Sequence, residues 1–261
     1  MRISLPNPTK FSEVFKSSLG ETLDIELNGI ATDSREVQKG DLYIAIPGER
    51  VDGHSFLKDV FKNGAGAALV SKVVDNIEGK QILVNNTISA IGKVSTLWRK
   101  QFDLPIIGIT GSNGKTSTKE LLKHILSARF DIHATEGNYN TSIGLPLTLL
   151  QLTTFHGASI LEMGANQPGD IKELCEIANP THGLITNVAP AHLEGFGTIE
   201  NIAKTKGALF ESLSKGVSFI NITDNQVSKL KIYGDKVTFG LTPDCDYPAD
   251  LHHDEDSKIT L

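Results

Sequence analysis

One short segment limits most strongly what this chain can fold into. The apolar run PIIGIT passes directly into the glycine-rich residues GSNGKT (111–116), and a helical pattern begins near Ser117. A strand, a glycine loop and a helix in this order form the phosphate-binding unit of parallel α/β proteins. The general pattern G-x-x-x-x-G-K-[ST] would place its first glycine where this chain has Ile109, so the loop is a variant. We predict a phosphate site here rather than an ordinary turn before a helix.

Each residue type in the loop has a physical role in holding phosphate. Glycines let backbone N–H groups turn inward, and the helix N-terminus adds positive potential. Lys115 can reach the β- and γ-phosphates, and Thr116 can offer its hydroxyl to Mg²⁺. The predicted nucleotide-binding residues are Gly111, Ser112, Asn113, Gly114, Lys115, Thr116 and Ser117.

The rest of the chain repeats the same alternation of strands and helices. After Asp41 come the β-rich runs DLYIAI, AGAALVSK and KQILVNN, and after Pro105 come PIIGIT, ASILEM, HGLITNV and GVSFINI, with helical patterns between them. Continuous apolar strands separated by helices predict a mainly parallel sheet covered on both faces. We therefore predict an α/β protein with a small N-terminal domain at 1–101 and a P-loop-type central domain at 102–261.

Composition narrows the classes of partner. The chain is 39% hydrophobic and 21% charged with a formal net charge of -6, so no general basic field favours nucleic acid or an anionic membrane surface. The two cysteines, Cys175 and Cys245, lack paired spacing, which is typical of a reducing compartment. No apolar run approaches the roughly 20 residues that span a bilayer. We expect a cytoplasmic protein without membrane insertion.

Three further polar side chains are candidates for the same site. Glu162 and His192 follow predicted strands, and the carboxyl ends of parallel strands share one edge, where ligands bind. A carboxylate there can bind Mg²⁺, although a helix cap for Glu162 and a structural role for His192 are alternatives. Lys206 lies on the predicted helix IENIAKTKGALFESL, and spacing alone does not distinguish it from Lys204 or from a solvated lysine.

Several strings, in the same order along nearly the whole chain, resemble the Mur ligase family of peptidoglycan synthesis. They are ATDSREVQKGDLYIAIPGERVDGHSF, GITGSNGKTSTKE, EGNYNTSIGLPLTLL, LEMGANQPGDI and TNVAPAHLEGFGTIENIAKTKGALF. The third, fourth and fifth are most similar to the branch that adds D-alanyl-D-alanine (D-Ala-D-Ala). The branch that adds a single amino acid shares the TDSR and DGH region.

The resemblance implies a fold and an activity. The family combines an N-terminal domain that holds the uridine diphosphate (UDP) of the substrate, a central ATPase domain and a C-terminal Rossmann-like domain, and we expect this chain to be truncated before the third. The implied reaction is the ATP-dependent addition of D-Ala-D-Ala to UDP-N-acetylmuramoyl-tripeptide through an acyl phosphate, by a cytoplasmic monomer. A ligase for a single amino acid, a folylpolyglutamate synthase and a non-catalytic nucleotide- or UDP-sugar-binding fragment are the alternatives. The synthase is disfavoured because it lacks the TDSR/DGH module.

The resemblance also implies roles for individual residues. Lys115 corresponds to the phosphate-binding lysine, Thr116 and Glu162 to ligands of a first Mg²⁺, and His192 to a ligand of a second. Lys206 corresponds to a lysine that the family carbamylates, in an A-K-x-x-L-F pattern whose alanine is replaced here by Thr205. The implied catalytic residues are thus Lys115, His192 and Lys206.

Substrate contacts are implied in two regions. Ser34, Arg35 and Arg50 correspond to contacts of the uridine diphosphate, although turn capping is an alternative. Asn138, Asn140 and Thr141 lie in the loop expected near the muramyl-peptide, and Thr141 stands where many relatives carry a second asparagine.

Overall fold

The chain folds into two α/β units. The computed structural model describes residues 1–23, 25–48, 51–190, 193–250, 252–253 and 259–260. The first unit is formed by Met1–Asp103 and Ser142–Thr154, and the second by Leu104–Thr141 and Phe155–Leu261. Within the described ranges, none of the helices combines the length and the apolarity that a membrane crossing requires.

The first unit is built on a five-stranded mixed sheet. Its strands, in both chain and spatial order, are β1 (Arg2–Ser4), β2 (Gly29–Ala31), β3 (Asp41–Ile44), β4 (Ala67–Val70) and β5 (Lys80–Leu83). β1 pairs antiparallel with β2, and the other pairs are parallel. Arg2 donates from Nε and Nη2 to the fully buried carboxylate of Asp41 at 2.7 and 2.9 Å. A Cβ at Gly29 would approach both groups to within 2.8 Å, so this glycine leaves room for the ion pair.

Two of the helices in the first unit begin at asparagine caps. The helices of this unit are α1 (Pro8–Leu19), a 3₁₀ helix (Gly53–Phe56), α2 (Leu57–Lys62) and α3 (Thr87–Arg99). The side chains of Asn7 and Asn86 accept N–H bonds from the first turns of α1 and α3, as N-caps do. The strand series predicted from the sequence begins at Asp41 and therefore lacks β1, α1 and β2.

One segment belongs to a different unit from the one that the sequence predicted. Residues 142–154 lie inside the predicted central domain, yet they pack with the first unit. Their helix, α5 (Gly144–Leu149), is buried along its whole length. Ser95 Oγ donates to Pro146 O at 3.0 Å and Trp98 Nε1 donates to Leu152 O at 3.3 Å. The apolar run IGLPLTLL therefore covers α3 rather than extending the second unit.

The second unit has a seven-stranded sheet in which every pair is parallel, as the sequence predicted for the main sheet. In spatial order its strands are β12 (Tyr247–Pro248), β11 (Asp235–Gly240), β10 (Val217–Asn221), β9 (His182–Ile185), β6 (Ile106–Thr110), β8 (Ala158–Glu162) and β7 (Ile132–Ala134). A separate antiparallel pair consists of β13 (His252–His253) and β14 (Ile259–Thr260).

The order of these strands positions the site. The helices of this unit are α4 (Lys115–Leu126), α6 (Asp170–Ala178), α7 (Leu193–Phe196), α8 (Ile199–Ser212) and a 3₁₀ helix (Val227–Lys229). The chain runs from the central strand β6 outward to β7, returns to β8, and then crosses to β9 on the other side of β6. A reversal of this kind opens a crevice at the carboxyl ends of the central strands, where α/β proteins bind ligands.

Candidate nucleotide-binding site

A cavity lies at this edge of the second unit, beside the glycine-rich loop. It encloses about 150 Å³. Its lining residues are Gly111, Ser112, Lys115, Asn140, Thr141, Gly164, Ala165, Asn166, Phe196, Ile202 and Lys206. Most of the lining is polar, and Phe196 and Ile202 form an apolar wall. We call it the loop cavity.

Two positions of the loop require glycine. Gly111 has φ 152°, and a Cβ there would overlap Thr186 Oγ1. Gly114 has φ 79° and is the residue from which α4 begins. Because side-chain-bearing residues rarely adopt positive φ, both glycines are needed for the strand-to-helix turn.

The structure divides the backbone donors of the loop into occupied and available groups. Ser112 N donates to Asn187 O at 3.0 Å, and Asn113 N donates to Asn187 Oδ1 at 3.1 Å. Thr118 N donates to Gly114 O, so the N–H groups of residues 115–117 precede the first α-helical bond of α4. The first turn of α4 therefore forms a cradle of available N–H groups.

The hydroxyl of Ser112 is also occupied. Ser112 Oγ donates to Ala189 O at 2.8 Å and accepts from Ala189 N at 3.0 Å. This pairing fixes the loop against the segment that follows β9. The loop glycines and Ser112 thus shape the cradle, while Lys115, Thr116 and Ser117 present groups that can bind phosphate.

Two lysines face the same space with different partners. Lys115 Nζ donates to Gly111 O at 2.8 Å. Lys206 is only 5% exposed, and its ammonium makes no hydrogen bond or ion pair with the described part of the chain. Burial, reinforced by the nearby charge of Lys115, lowers the pKa of Lys206 to about 8. Lys204, by contrast, is exposed. Burial therefore selects Lys206 between the two lysines that the sequence left open.

Glu162 occupies the end of β8 and is the acidic centre of the site. Its carboxylate is 3% exposed and accepts from Thr116 Oγ1 and Asn140 Nδ2, both at 2.8 Å. No lysine or arginine of the described ranges forms an ion pair with it. A buried carboxylate beside a hydroxyl supplies the hard oxygen donors that Mg²⁺ prefers, so these residues fit the predicted ion.

The acidic centre contains few protein ligands. Within the ranges that the structure describes, no group of three or more His, Cys, Asp and Glu side chains could hold a metal ion. Mg²⁺ commonly binds through one or two protein oxygens, with water and substrate phosphate completing its shell. The Thr116–Glu162 pair is therefore consistent with Mg²⁺ bound together with a nucleotide.

The loop predicted to contact the muramyl-peptide has several roles. Asn140 donates to Glu162 as described, and Thr141 lines the loop cavity. Asn138 accepts from Asn140 N at 2.8 Å through its carbonyl oxygen and is not part of the lining. The sequence did not anticipate that Asn140 would orient the acidic centre, because this contact depends on how the loop returns to β8.

The other predicted substrate residues lie in the first unit. Ser34 and Arg35 follow β2 at its carboxyl end. Arg35 forms an ion pair with Asp33, and this contact holds the pKa of Asp33 well below its usual range. The Arg35 side chain is 86% exposed, so its remaining donors are accessible to a ligand. Arg50 and His192 lie outside the described residues.

Sequence reasoning missed the residues that hold the loop in place. Thr186, Asn187 and Ala189 directly follow β9, the neighbour of β6. The signal was present, because the string TNVAP continues a strand whose carboxyl end shares the edge of the glycine loop. We assigned no role to these residues because polar residues after a strand are usual in ordinary turns.

Comparison with known proteins agrees with this geometry. The Mur ligase middle domain matches residues 109–260, and the Mur ligase family catalytic domain matches residues 26–94. The chain belongs to the Mur ligase family. The middle-domain match covers both the glycine loop and the residues that line the loop cavity, so the matched domain and the observed site coincide in this chain.

Individual relatives are closely similar over much of the chain. The UDP-N-acetylmuramoyl-tripeptide–D-alanyl-D-alanine ligase of Escherichia coli is 40% identical over 203 residues, which are 77% of this chain and 45% of that protein. A crystal structure of MurF from Acinetobacter baumannii superposes with a TM-score of 0.83 at 32% identity, covering 88% of this chain and 53% of that one. MurF ligase from Thermotoga maritima in complex with ADP gives 0.77 at 32% identity, covering 87% and 53%. The chain thus spans about half the length of these relatives.

The burial of Lys206 predicts that its positive charge lowers the stability of the second unit. We expect Lys206→Met to stabilise the second unit by up to about 3 kcal/mol at pH 7 in CO₂-depleted buffer without Mg²⁺. The lowered pKa means that the folded state disfavours the ammonium, so wild-type stability should rise as pH increases from about 8 towards 10.5. Denaturant unfolding at pH 7 and pH 10 measures both effects. A variant less stable than wild type at pH 7, or a difference that does not shrink by pH 10, would contradict this prediction.

Proposed function

We propose that this protein is an ATP-dependent amide ligase that adds D-Ala-D-Ala to UDP-N-acetylmuramoyl-tripeptide in peptidoglycan precursor synthesis. The observation that carries the proposal is the hydrogen bond between Thr116 and the buried carboxylate of Glu162, next to Lys115, at a loop whose following helix turn has available N–H groups. The names of the relatives supply the substrates, since several are UDP-N-acetylmuramoyl-tripeptide–D-alanyl-D-alanine ligases at 33–40% identity.

The proposed reaction has two steps, and the residues of the site stabilise the negative charge on the phosphoryl group. The terminal carboxylate of the tripeptide attacks the γ-phosphorus of ATP, and the bond to ADP breaks, giving an acyl phosphate. The amine of D-Ala-D-Ala then attacks the acyl carbon, and the tetrahedral intermediate expels phosphate as the amine loses a proton. Lys115 and the N–H groups of residues 115–117 stabilise the phosphoryl oxygens. Thr116 and Glu162 would hold Mg²⁺, which supplies charge neutralisation when bound.

Lys206 requires a separate explanation, because burial of this residue and the nearby charge of Lys115 both disfavour its ammonium form. We propose that Lys206 carries a carbamate. Its neutral amine bonds to the carbon of CO₂ and loses a proton, which converts a cation into an anion with two oxygen atoms. Such a group would be attracted by Lys115 and would offer a ligand to a second Mg²⁺, together with His192.

The proposal also assigns residues to the two parts of the UDP substrate and a cellular compartment to the protein. Ser34, Arg35 and Arg50 would hold the uridine diphosphate, and Asn138, Asn140 and Thr141 would lie near the muramyl-peptide. The exposed donors of Arg35 support the first assignment, and the position of Thr141 in the lining of the loop cavity supports the second. We further propose a cytoplasmic monomer. Both cysteines are free thiols, which is compatible with a reducing compartment.

Phosphate release tests the proposed function. We expect inorganic phosphate to appear from ATP only when UDP-N-acetylmuramoyl-tripeptide and D-Ala-D-Ala are both present, because the acyl phosphate needs the acceptor amine to turn over. Parallel reactions replace the dipeptide with single amino acids or omit the UDP substrate. Turnover with a single amino acid would favour the ligase alternative, and binding of ATP without any turnover would favour a non-catalytic fragment.

A further inference from the structure

The segment after β9, residues 186–189, has more contacts with the glycine loop than a connecting turn requires. Asn187 uses both ends of its side-chain amide on one residue: Oδ1 accepts from Asn113 N and Nδ2 donates to Asn113 O, both at 3.1 Å. Thr186 Oγ1 donates to the same carbonyl oxygen at 2.6 Å. Of the standard side chains, only asparagine and glutamine carry an amide donor and acceptor that can pair with both the N–H and the C=O of one residue in this way.

The segment is anchored from its other side by a residue after β10. Asp224 Oδ2 accepts from Val188 N at 3.0 Å. Its Oδ1 accepts from Gln226 N at 2.8 Å and from Val227 N at 3.0 Å, at the start of the 3₁₀ helix. Because three backbone N–H groups from two segments converge on one carboxylate, Asp224 joins the connection after β10 to the segment that carries Asn187.

Neither Asn187 nor Asp224 lines the loop cavity. Their effect must therefore pass through the backbone of Asn113. Asn113 directly precedes Gly114, whose positive φ begins α4 and directs the N–H groups of residues 115–117. Fixing the peptide groups of Asn113 thus fixes the direction of the phosphate-binding turn before any ligand arrives, which reduces the ordering cost of binding.

We propose that Asn187 is a positioning residue for the phosphate loop and that Asp224 anchors it, so that both determine nucleotide affinity without touching the nucleotide. The proposal rests on the proposed function in taking the ligand to be the phosphates of ATP. It assigns to the polar residues after β9 and β10 a role that is distinct from binding substrate or metal.

The test uses a substitution that keeps the shape of Asn187. Asn187→Asp retains the acceptor for Asn113 N–H but places an oxygen against the carbonyl oxygen of Asn113, so one hydrogen bond becomes a repulsion. We expect ATP affinity, measured by calorimetry, to fall about 10- to 100-fold, while the affinity for the UDP substrate and the melting temperature change little. Asp224→Asn should lower ATP affinity about 3- to 10-fold, because only its contact with Val188 N is disturbed.

A charge-matched control is available at the same edge. Asn225 is exposed and adjoins Asp224, so Asn225→Asp adds the same negative charge without altering the loop. This variant should bind ATP as wild type does. Equal losses in Asn225→Asp and Asn187→Asp would attribute the effect to charge alone and overturn the proposal.

Hydrogen exchange in the free protein separates this proposal from the proposed function. We expect the Ser112 and Asn113 amides to exchange at least 10-fold faster in Asn187→Asp than in wild type, without any nucleotide. Unchanged exchange would show that Asn187 does not hold the loop, and faster exchange with wild-type ATP affinity would show that holding it has no bearing on binding. If wild type itself bound no ATP, the proposed function would fail. The exchange rates would still show whether Asn187 holds the loop through Asn113.

Discussion

Replacement of Lys115 by alanine is expected to reduce ATP-dependent phosphate release by at least about 100-fold, the usual cost of removing one group that stabilises transition-state charge. Lys115 lines the loop cavity, and within the described part of the chain its ammonium donates to the carbonyl oxygen of Gly111. Its removal leaves a single loop carbonyl without a partner, so the fold should persist. Calorimetry with ATP and a phosphate-release assay measure the two consequences.

Lys123 provides the matched control for this experiment. It lies two turns further along the same helix, α4, away from the loop cavity. Lys123→Ala removes the same side chain from the same element and should leave ATP affinity and phosphate release close to wild type. Turnover of Lys115→Ala within about twofold of wild type would exclude the assignment of this loop as the ATP site.

The site was predictable where it depends on the topology of a parallel sheet. PIIGIT and ASILEM read as buried strands, and parallel strands end at one edge, so Thr116 and Glu162 were expected to lie near each other. Their side chains do meet, at 2.8 Å. The strand-to-helix turn was equally predictable, because glycine readily adopts the positive φ that such a turn requires. Gly111 and Gly114 both have positive φ in the structure.

Other features could not be predicted because they depend on packing between distant segments. The apolar run IGLPLTLL fits any buried helix, and only its contacts with Ser95 and Trp98 place it in the first unit. β1 is three residues long, and an antiparallel partner 25 residues away gives no periodic signal. The string TNVAP placed Asn187 at the edge of the glycine loop, but its pairing with Asn113 also requires that the segment after β9 turn towards the loop, which local sequence does not specify.

The choice between Lys204 and Lys206 shows the limit of periodicity. The two positions are separated by about 200° around a helix, so they cannot face the same way. Periodicity alone does not determine which of them faces the sheet edge. The structure places Lys206 in the loop cavity and leaves Lys204 exposed, so the two lysines form an internal pair of test and control on one helix, α8.

In the final prediction, Lys206→Ala is expected to lower ATP-dependent ligation by about 100-fold or more, while Lys204→Ala stays near wild type. The proposed carbamate would supply an anionic oxygen that a hard cation prefers, and alanine supplies none. A surface lysine has no such role. Melting curves of both variants accompany the assay, because removal of a buried ammonium should not destabilise the second unit.

Chemical rescue distinguishes a carbamate from an ammonium at Lys206. The alanine variant leaves room in the loop cavity, which already encloses about 150 Å³, so formate or acetate can enter and place a carboxylate where the carbamate oxygens would lie. We expect these acids to restore turnover of Lys206→Ala at least tenfold, and methylammonium at the same concentration to restore none. Rescue by methylammonium instead would mean that Lys206 acts as a cation. A dead Lys204→Ala variant, or no recovery with either acid, would remove the case for a carbamate, because only an anionic requirement at position 206 explains rescue by a carboxylate and not by methylammonium.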